Sequence, residues 1–429
     1  MDRLRQALRG GDWLTRERIR VVAVAVLFAS AAGLLYLVVT AKAGVDLQGR
    51  PLGTDFSNVY AAGAYVLEGN PDAPFDSATQ YAREQAIFGA STPFYGWHYP
   101  PYFLFLAAAL ATMPYGLALF VWQAVTFGLY LLVIRGILAS FAPAGSASRT
   151  TYDWLLLAVA FPAVLINIGH GHNGFLTAAL LGGGLICLDR RPLLAGIAFG
   201  LMAYKPQFGL IIPIALAAGG YWRTIFAAAA TVALLTLAVT LAFGIGVWHA
   251  FLVGAEFTRT VVLEQGDTGW HKIQSIFSWA RMWGAPVPLA YGIQTVATLA
   301  VAVATAWLWR DKTAPYPLKA AALCLGAMLA TPYTLDYDMM VLAPALAFLA
   351  ADGFARGFGP YQKTAMAALW LVPLVARTFP QATLIPLGAP AMLALFVLTL
   401  QRSNRDAAGE EKIPFRAEAP TLATGPGGT

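Results

Sequence analysis

Charge is scarce in this chain. Asp, Glu, Lys and Arg make up 12% of its 429 residues against 58% hydrophobic residues, where soluble domains carry roughly 25% charge. With a mean hydropathy of +0.62, this excludes an ordinary soluble domain and places most of the chain in lipid. Cysteine is scarcer still. Cys187 and Cys324 both lie inside apolar segments, where a thiol serves as a small hydrophobe, so neither a disulfide nor a zinc site of Cys/His spacing is expected. No internal repeat is evident, which argues against a transporter of duplicated halves. A pI near 9.3 would suit a nucleic-acid partner if the basic residues were clustered. They are spread over short connectors, the pattern topogenesis produces, so the lipid bilayer is the expected partner and nucleic acid is not.

What the chain does have is long apolar runs. Arg3, Arg5, Arg9, Arg16, Arg18 and Arg20 precede a charge-free stretch from Val21 to Ala41, about the twenty residues that cross a hydrocarbon core. Residues 1–20 are therefore expected to form a basic cytoplasmic terminus. Ala41-Lys42-Ala43 resembles a cleavage site, but the run exceeds the roughly 7–15 residues of a signal h-region, so an uncleaved anchor is expected. Further runs cover Tyr115–Ile134, Trp154–Asn167, Gly174–Leu188, Leu193–Tyr204, Phe208–Gly219, Thr224–Phe243, Pro288–Trp309, Leu318–Ala330, Met339–Ala351, Thr364–Phe379 and Thr383–Leu400. Several are too short to cross untilted and read as broken helices packed around a cavity. Tyr102–Met113 reads as a half-helix or interfacial segment. The expected fold is an all-α integral membrane protein of about twelve spans over residues 21–400, followed by a disordered cytoplasmic tail over residues 401–429.

Connectors with Arg135 and Arg149, Asp189-Arg190-Arg191, Arg223, Arg310 and Lys312, Arg356, and Arg402 with Arg405 fall in the cytoplasm by the positive-inside rule. Alternation then puts other connectors outside: residues 42–99, the Gly169–Gly174 turn with Lys205-Pro206-Gln207, residues 244–286, and Thr331–Asp338. Asp55 heads a weakly amphipathic stretch in the first of these loops. Read locally, capping a helix is the ordinary role of such an aspartate; an ionised carboxylate near a helix amino end can also take a proton from an attacking hydroxyl. Trp97 and Tyr99 suit the membrane interface, the double proline after them gives a rigid approach to the membrane, and His98 is a candidate to help hold an anion. In the turn His170-Gly171-His172-Asn173-Gly174, a metal reading lacks third and fourth ligands. His172 and Asn173 read better as hydrogen-bond donors at a cavity mouth. Lys205, at a break between short helices, either snorkels to the interface or clamps a phosphate. Asp336 and Asp338 either bind hydroxyls of a polar substrate or orient a basic side chain. No metal and no other cofactor is expected.

Taken together, Asp55-Phe56 with Val59-Tyr60-Ala61-Ala62, Gly69-Asn70-Pro71, Tyr99-Pro100-Pro101, Gly171-His172-Asn173-Gly174, Lys205-Pro206-Gln207 and Pro332-Tyr333 resemble the polytopic glycosyltransferases of family 87. The resemblance runs from about Asp55 to Leu400. It implies a GT-C-like helical bundle with outer-face loops, multi-pass in the cell inner membrane with its site on the periplasmic side. It implies inverting transfer of a hexosyl group, mannosyl or related, from a polyprenyl-phosphate donor to a hydroxyl on a glycolipid or polysaccharide, with Asp55 as general base. Donor phosphate would then meet Lys205 and His172, or Arg259, His271 and Lys272 of the later loop. The substrates would meet Tyr60, His98, Tyr99, Asn173, Gln207, Tyr333, Asp336 and Asp338. Two departures stand out: His172 occupies a position where members often carry Gln, and Thr334-Leu335-Asp336-Tyr337-Asp338 replaces a Trp/His-rich segment. A transporter or flippase for a lipid-linked sugar, or a noncatalytic envelope assembly protein, are the competing functional classes.

Overall fold

The computed structural model describes residues 2–141 and 147–408. Among them the chain is helical, with isolated bridges such as Ile273–Leu335 and no named strand. After α1 (Asp2–Gly10) comes α2 (Arg16–Thr40), which begins where the Thr15 side chain caps the Arg18 amide and ends where Ala41 turns extended. Within it Ala23 alone is buried, while Phe28, Leu35 and Val39 face outward. A helix that is charge-free from Val21 onward and has so little covered surface is matched to hydrocarbon.

The first loop is itself helical, with α3 (Phe56–Leu67) and α4 (Ser77–Phe88). Next come the short α5 (Leu104–Ala111), the long α6 (Tyr115–Phe141), and α7 (Ala147–Val159) continued by α8 (Pro162–His170). Then follow α9 (Gly174–Cys187), α10 (Pro192–Leu201), α11 (Ile211–Gly219) and α12 (Trp222–Phe243). The second loop holds α13 (Gly246–Phe257) and α14 (Ile276–Met282). The remainder is α15 (Val287–Arg310), α16 (Tyr316–Leu329), α17 (Leu342–Arg356), α18 (Gln362–Val375), α19 (Thr378–Thr383) and α20 (Gly388–Ala408).

Six stretches among the described residues are long and apolar enough to cross a membrane: Arg16–Thr40, Tyr115–Ser140, Asp153–His170, Trp222–Phe243, Val287–Arg310 and Asp336–Arg356. Pro101–Ala111, Gly174–Cys187, Pro192–Tyr204, Pro206–Gly219 and Tyr316–Leu329 are apolar but shorter. Helix lengths thus support a membrane protein without establishing about twelve complete spans. The expected tail also begins later than residue 401, because α20 continues to Ala408; residues 409–429 lie outside the described residues.

At the centre stand α16 and α17. Residues Ala320–Leu329 are buried without exception, as are Leu342–Ala351. Alanine and leucine let α17 sit between α6, α9, α16 and α18, while α16 also meets α11 and α20. A second close contact joins α10 to α12: a Cβ on Gly196 would stand 2.6 Å from the Thr224 carbonyl oxygen, and one on Gly200 2.8 Å from that of Ala228. Small residues at this spacing let helices pack where lipid offers no hydrophobic drive to do so.

Chain direction separates two ends of the bundle. Leaving the Asn173 turn, α9 arrives at Asp189-Arg190-Arg191, and the helix from Asp336 arrives at Arg356. There Asp352 pairs with both Arg356 and Arg402. Asp153, at the end of its helix remote from His170, pairs with Arg16 and Arg20. The opposite end carries the polar breaks.

Candidate functional site

The first piece is the turn after α8. Gly171 ends that helix in the left-handed region, φ +60, and its amide returns to the Asn167 and Ile168 carbonyls. Asn167 Oδ1 accepts the Gly174 amide at 2.8 Å, and Trp122 Nε1 donates to the Gly171 carbonyl at 3.0 Å. A Cβ at residue 171 would lie 2.5 Å from Phe56 Cβ and 2.9 Å from the Gly53 carbonyl oxygen. Only glycine lets the turn press so closely on the start of α3. On the other side of α3, a Cβ at Gly63 would stand 2.1 Å from the Ala107 carbonyl oxygen of α5.

Held between these contacts, Asp55 makes no side-chain cap on α3, so the capping role expected of an aspartate there is not realised. Its carboxylate, 23% exposed, lies 3.3 Å from His170 Nδ1. Burial raises its pKa, but the facing His170 and, more weakly, the Arg377 charge outweigh this and hold it below the ordinary carboxylate value. The group is therefore an ionised acceptor over the ordinary pH range.

Arg377, just past α18, is the residue that reading the sequence missed. Its guanidinium holds both oxygens of fully buried Asp336, one through Nη2 at 3.1 Å, and that Nη2 is also 2.7 Å from His170 Nε2. The signal was present: one arginine inside the otherwise apolar run Thr364–Phe379, where a charge requires a partner. Of the readings for Asp336, orienting a basic side chain is the one the geometry gives.

Lys205 and Asp338, both buried, pair with each other. Lys205 neither snorkels nor stands free as an anion clamp. Arg259 is at the surface, 50% exposed, and bound to Glu256 and Glu264. Lys272 has no ion pair among the described residues. Its pKa is lowered by burial and then by Arg377, with Asp55 and Asp336 opposing, so it shares the field of the cluster. The neighbouring His271 is lowered too, by burial first and then by Lys272 and Arg377. Arg377 and Lys205 are thus each taken by a carboxylate, while among the described residues Lys272 has no ion pair and Asp55 faces His170. Commitment of Asp336 and Asp338 to these cations also removes them from a metal set with His170 and His172; no group of three such donors forms among the described residues.

His172 is stacked on Tyr337, with ring centroids 3.4 Å apart, and its Nε2 meets the Tyr99 hydroxyl at 3.0 Å. Burial, then the Lys205 charge, pushes its pKa well below the ordinary histidine value. His172 Nδ1 and both amide atoms of Asn173 are buried without partners among the described residues, polar capacity that a hydroxylated ligand can satisfy. His98 Nδ1 bonds Thr258 Oγ1 at 2.8 Å, and burial lowers its pKa to about 4 against the pull of Asp55, so it would meet an anion as a neutral imidazole. Tyr60 turns its hydroxyl to the Met113 carbonyl, 3.0 Å away, and so serves packing there. Half-buried Gln207 follows Lys205 on the same break, and Tyr333 packs against the Ile273–Phe277 cluster of the second loop.

Glu84 was also missed. It is fully buried in α4 and accepts the amides of Tyr95 and Gly96 at 3.0 and 3.1 Å, tying down the segment that leads to His98 and Tyr99. Burial raises its pKa to about 7 despite these bonds.

A model of glycosyltransferase family 87 matches residues 97–332, which takes in the His170–Asn173 turn, Lys205 and Lys272. Asp55, Asp336 and Arg377 lie outside the matched segment, and the fold brings them to it. No curated protein and no solved structure matches the chain.

Proposed function

The chain belongs to glycosyltransferase family 87 and is a membrane glycosyltransferase; from that premise we propose that it moves a hexosyl group, mannosyl or a close relative, from a polyprenyl-phosphate donor to a hydroxyl on a glycolipid or polysaccharide. The transfer is inverting, and Asp55 takes the proton of the attacking hydroxyl. The observation that carries this reading is an ionised, uncapped and partly exposed Asp55 at a polar cluster, in a chain whose long helices expose apolar side chains. A lipid-phosphate donor keeps its chain in hydrocarbon and its sugar at headgroup depth, which is where helix breaks supply polar groups. Charge that gathers on the leaving phosphate meets Lys272, with His271 beside it and Lys205 neutralised behind. Unpartnered His172 Nδ1 and Asn173 suit sugar hydroxyls. Counted singly with the six long helices, α9, α10, α11, α16, α18 and α20 give about twelve passes, and the basic connectors favour the periplasmic side of the inner membrane for the cluster.

The test is sugar transfer in proteoliposomes with radiolabelled polyprenyl-phosphate sugars. Asp55→Asn is expected to keep donor binding and lower turnover by about 10²–10⁴-fold, the contribution of a positioned base. Near-normal transfer by a well-folded Asn variant would remove Asp55 from the chemistry.

A further inference from the structure

Resting on Asp55 as the base, we propose that His170 is its positioning residue, locked as the Nδ1–H tautomer by an Arg377 guanidinium that Asp336 anchors. A guanidinium has N–H donors and no acceptor, so the 2.7 Å contact between Arg377 Nη2 and His170 Nε2 requires a lone pair on Nε2. The ring proton then sits on Nδ1, because the bond made by one ring nitrogen fixes the state of the other. That N–H meets Thr54 Oγ1 at 2.7 Å, and Asp55 Oδ2 faces the same nitrogen at 3.3 Å.

Arg377 cannot easily turn away. Both oxygens of Asp336 hold it, and Asp336 is itself fixed by burial and by the Tyr337 amide, 3.0 Å from Oδ1. The chain of contacts from Asp336 through Arg377 and His170 to Asp55 therefore transmits a fixed direction. Asp55 Oδ2 thus faces the N–H edge of a ring whose orientation is fixed from its other side. The signal in the sequence was the pairing of a helix-ending His170 with a lone arginine in a distant apolar run, which no local pattern connects.

Two measurements test this. The chain has 5 histidines, so a ¹⁵N-histidine spectrum of the full-length protein in bilayers is simple enough to assign with His170→Asn. The parent ring of His170 is expected as the Nδ1–H tautomer; an Nε2–H or doubly protonated ring would overturn the proposal. The second measurement compares two amides. Asn places an N–H where Nδ1–H stands and stops short of Arg377, while Gln reaches Arg377 and leaves Asp55 without a donor. His170→Asn should keep kcat within about tenfold of the parent, and His170→Gln should lose about 10²-fold, the scale of a displaced catalytic group, with donor KM unchanged in both. Equal losses, or better retention by Gln, would sink the positioning role. Asp55→Asn in the same assay keeps the outcomes apart: an active Asp55→Asn rejects the base, while the tautomer measurement still decides the lock.

Discussion

Lys205 and Lys272 carry the same charge in opposite situations. The first is buried against Asp338, and the second has no ion pair among the described residues and feels the Arg377 charge. Lys205→Met would strand a buried carboxylate, which typically costs about 3–5 kcal/mol, so its expected effect is lost protein and a lowered melting temperature. A Lys205→Met, Asp338→Asn double variant should recover much of that loss. Lys272→Met should instead leave folding intact and raise the donor KM, since it removes the charge proposed to face phosphate while keeping the apolar stem. Donor KM measured in proteoliposomes for both variants checks this; an unchanged KM for Lys272→Met with normal expression would take Lys272 out of the donor site. Sequence made Lys205 conspicuous because a helix break announces itself, but it could not show that Asp338, more than a hundred residues away, had already claimed the charge. Asp55 and the His170–Asn173 turn were legible because glycine, proline and an isolated carboxylate stand out in an apolar chain. Arg377 and Glu84 were not, one absorbed into an apolar run and the other into a loop helix that looks solvated until the fold covers it.

At the scale of an element, Glu84 of α4 pins the Tyr95–Gly96 backbone that leads to His98 and Tyr99, and it does so as a carboxyl held near neutrality. Its pKa rises from 4.5 unfolded to about 7 in the fold, so between these values the folded state binds more protons than the unfolded one. Stability must then fall as pH rises through that window. The full difference, about 2.5 units at about 1.36 kcal/mol each, is about 3 kcal/mol. Melting temperature in detergent is expected to drop from pH 5 to pH 8, and Glu84→Gln, which cannot ionise, should lack that component of the slope. Equal slopes in the two proteins would mean that Glu84 ionises freely in the fold. The helices themselves were largely legible, because runs such as Thr224–Phe243 and Pro288–Trp309 are fixed by length and apolarity; their observed bounds, Trp222–Phe243 and Val287–Arg310, differ by one or two residues. Less legible was which apolar run lies inside. The central α16 and the lipid-facing α12 are written in the same Ala, Leu and Val, and only the Gly196–Gly200 contact and the surrounding helices separate them.

For the whole molecule, orientation is the step on which the donor assignment depends. Every polar break described above sits at one end of the bundle, and the pairs Arg356–Asp352–Arg402 and Arg16–Asp153–Arg20 sit at helix ends remote from it. Arginine resists translocation, and from the excess of basic connectors at that end we propose that it is cytoplasmic. A lipid-linked sugar presented on the opposite face would then approach Asp55 and Lys272 directly. Labelling decides between the two orientations. In a background with Cys187 and Cys324 replaced, single cysteines at exposed Asn70 and exposed Arg190 should react with a membrane-impermeant maleimide from opposite sides, residue 70 in intact cells with a permeabilised outer membrane and residue 190 only after the inner membrane is opened. Labelling of both from one side would break the alternation of helices on which the site is built. Labelling of residue 190 alone in intact cells would invert the bundle, placing Asp55 in the cytoplasm.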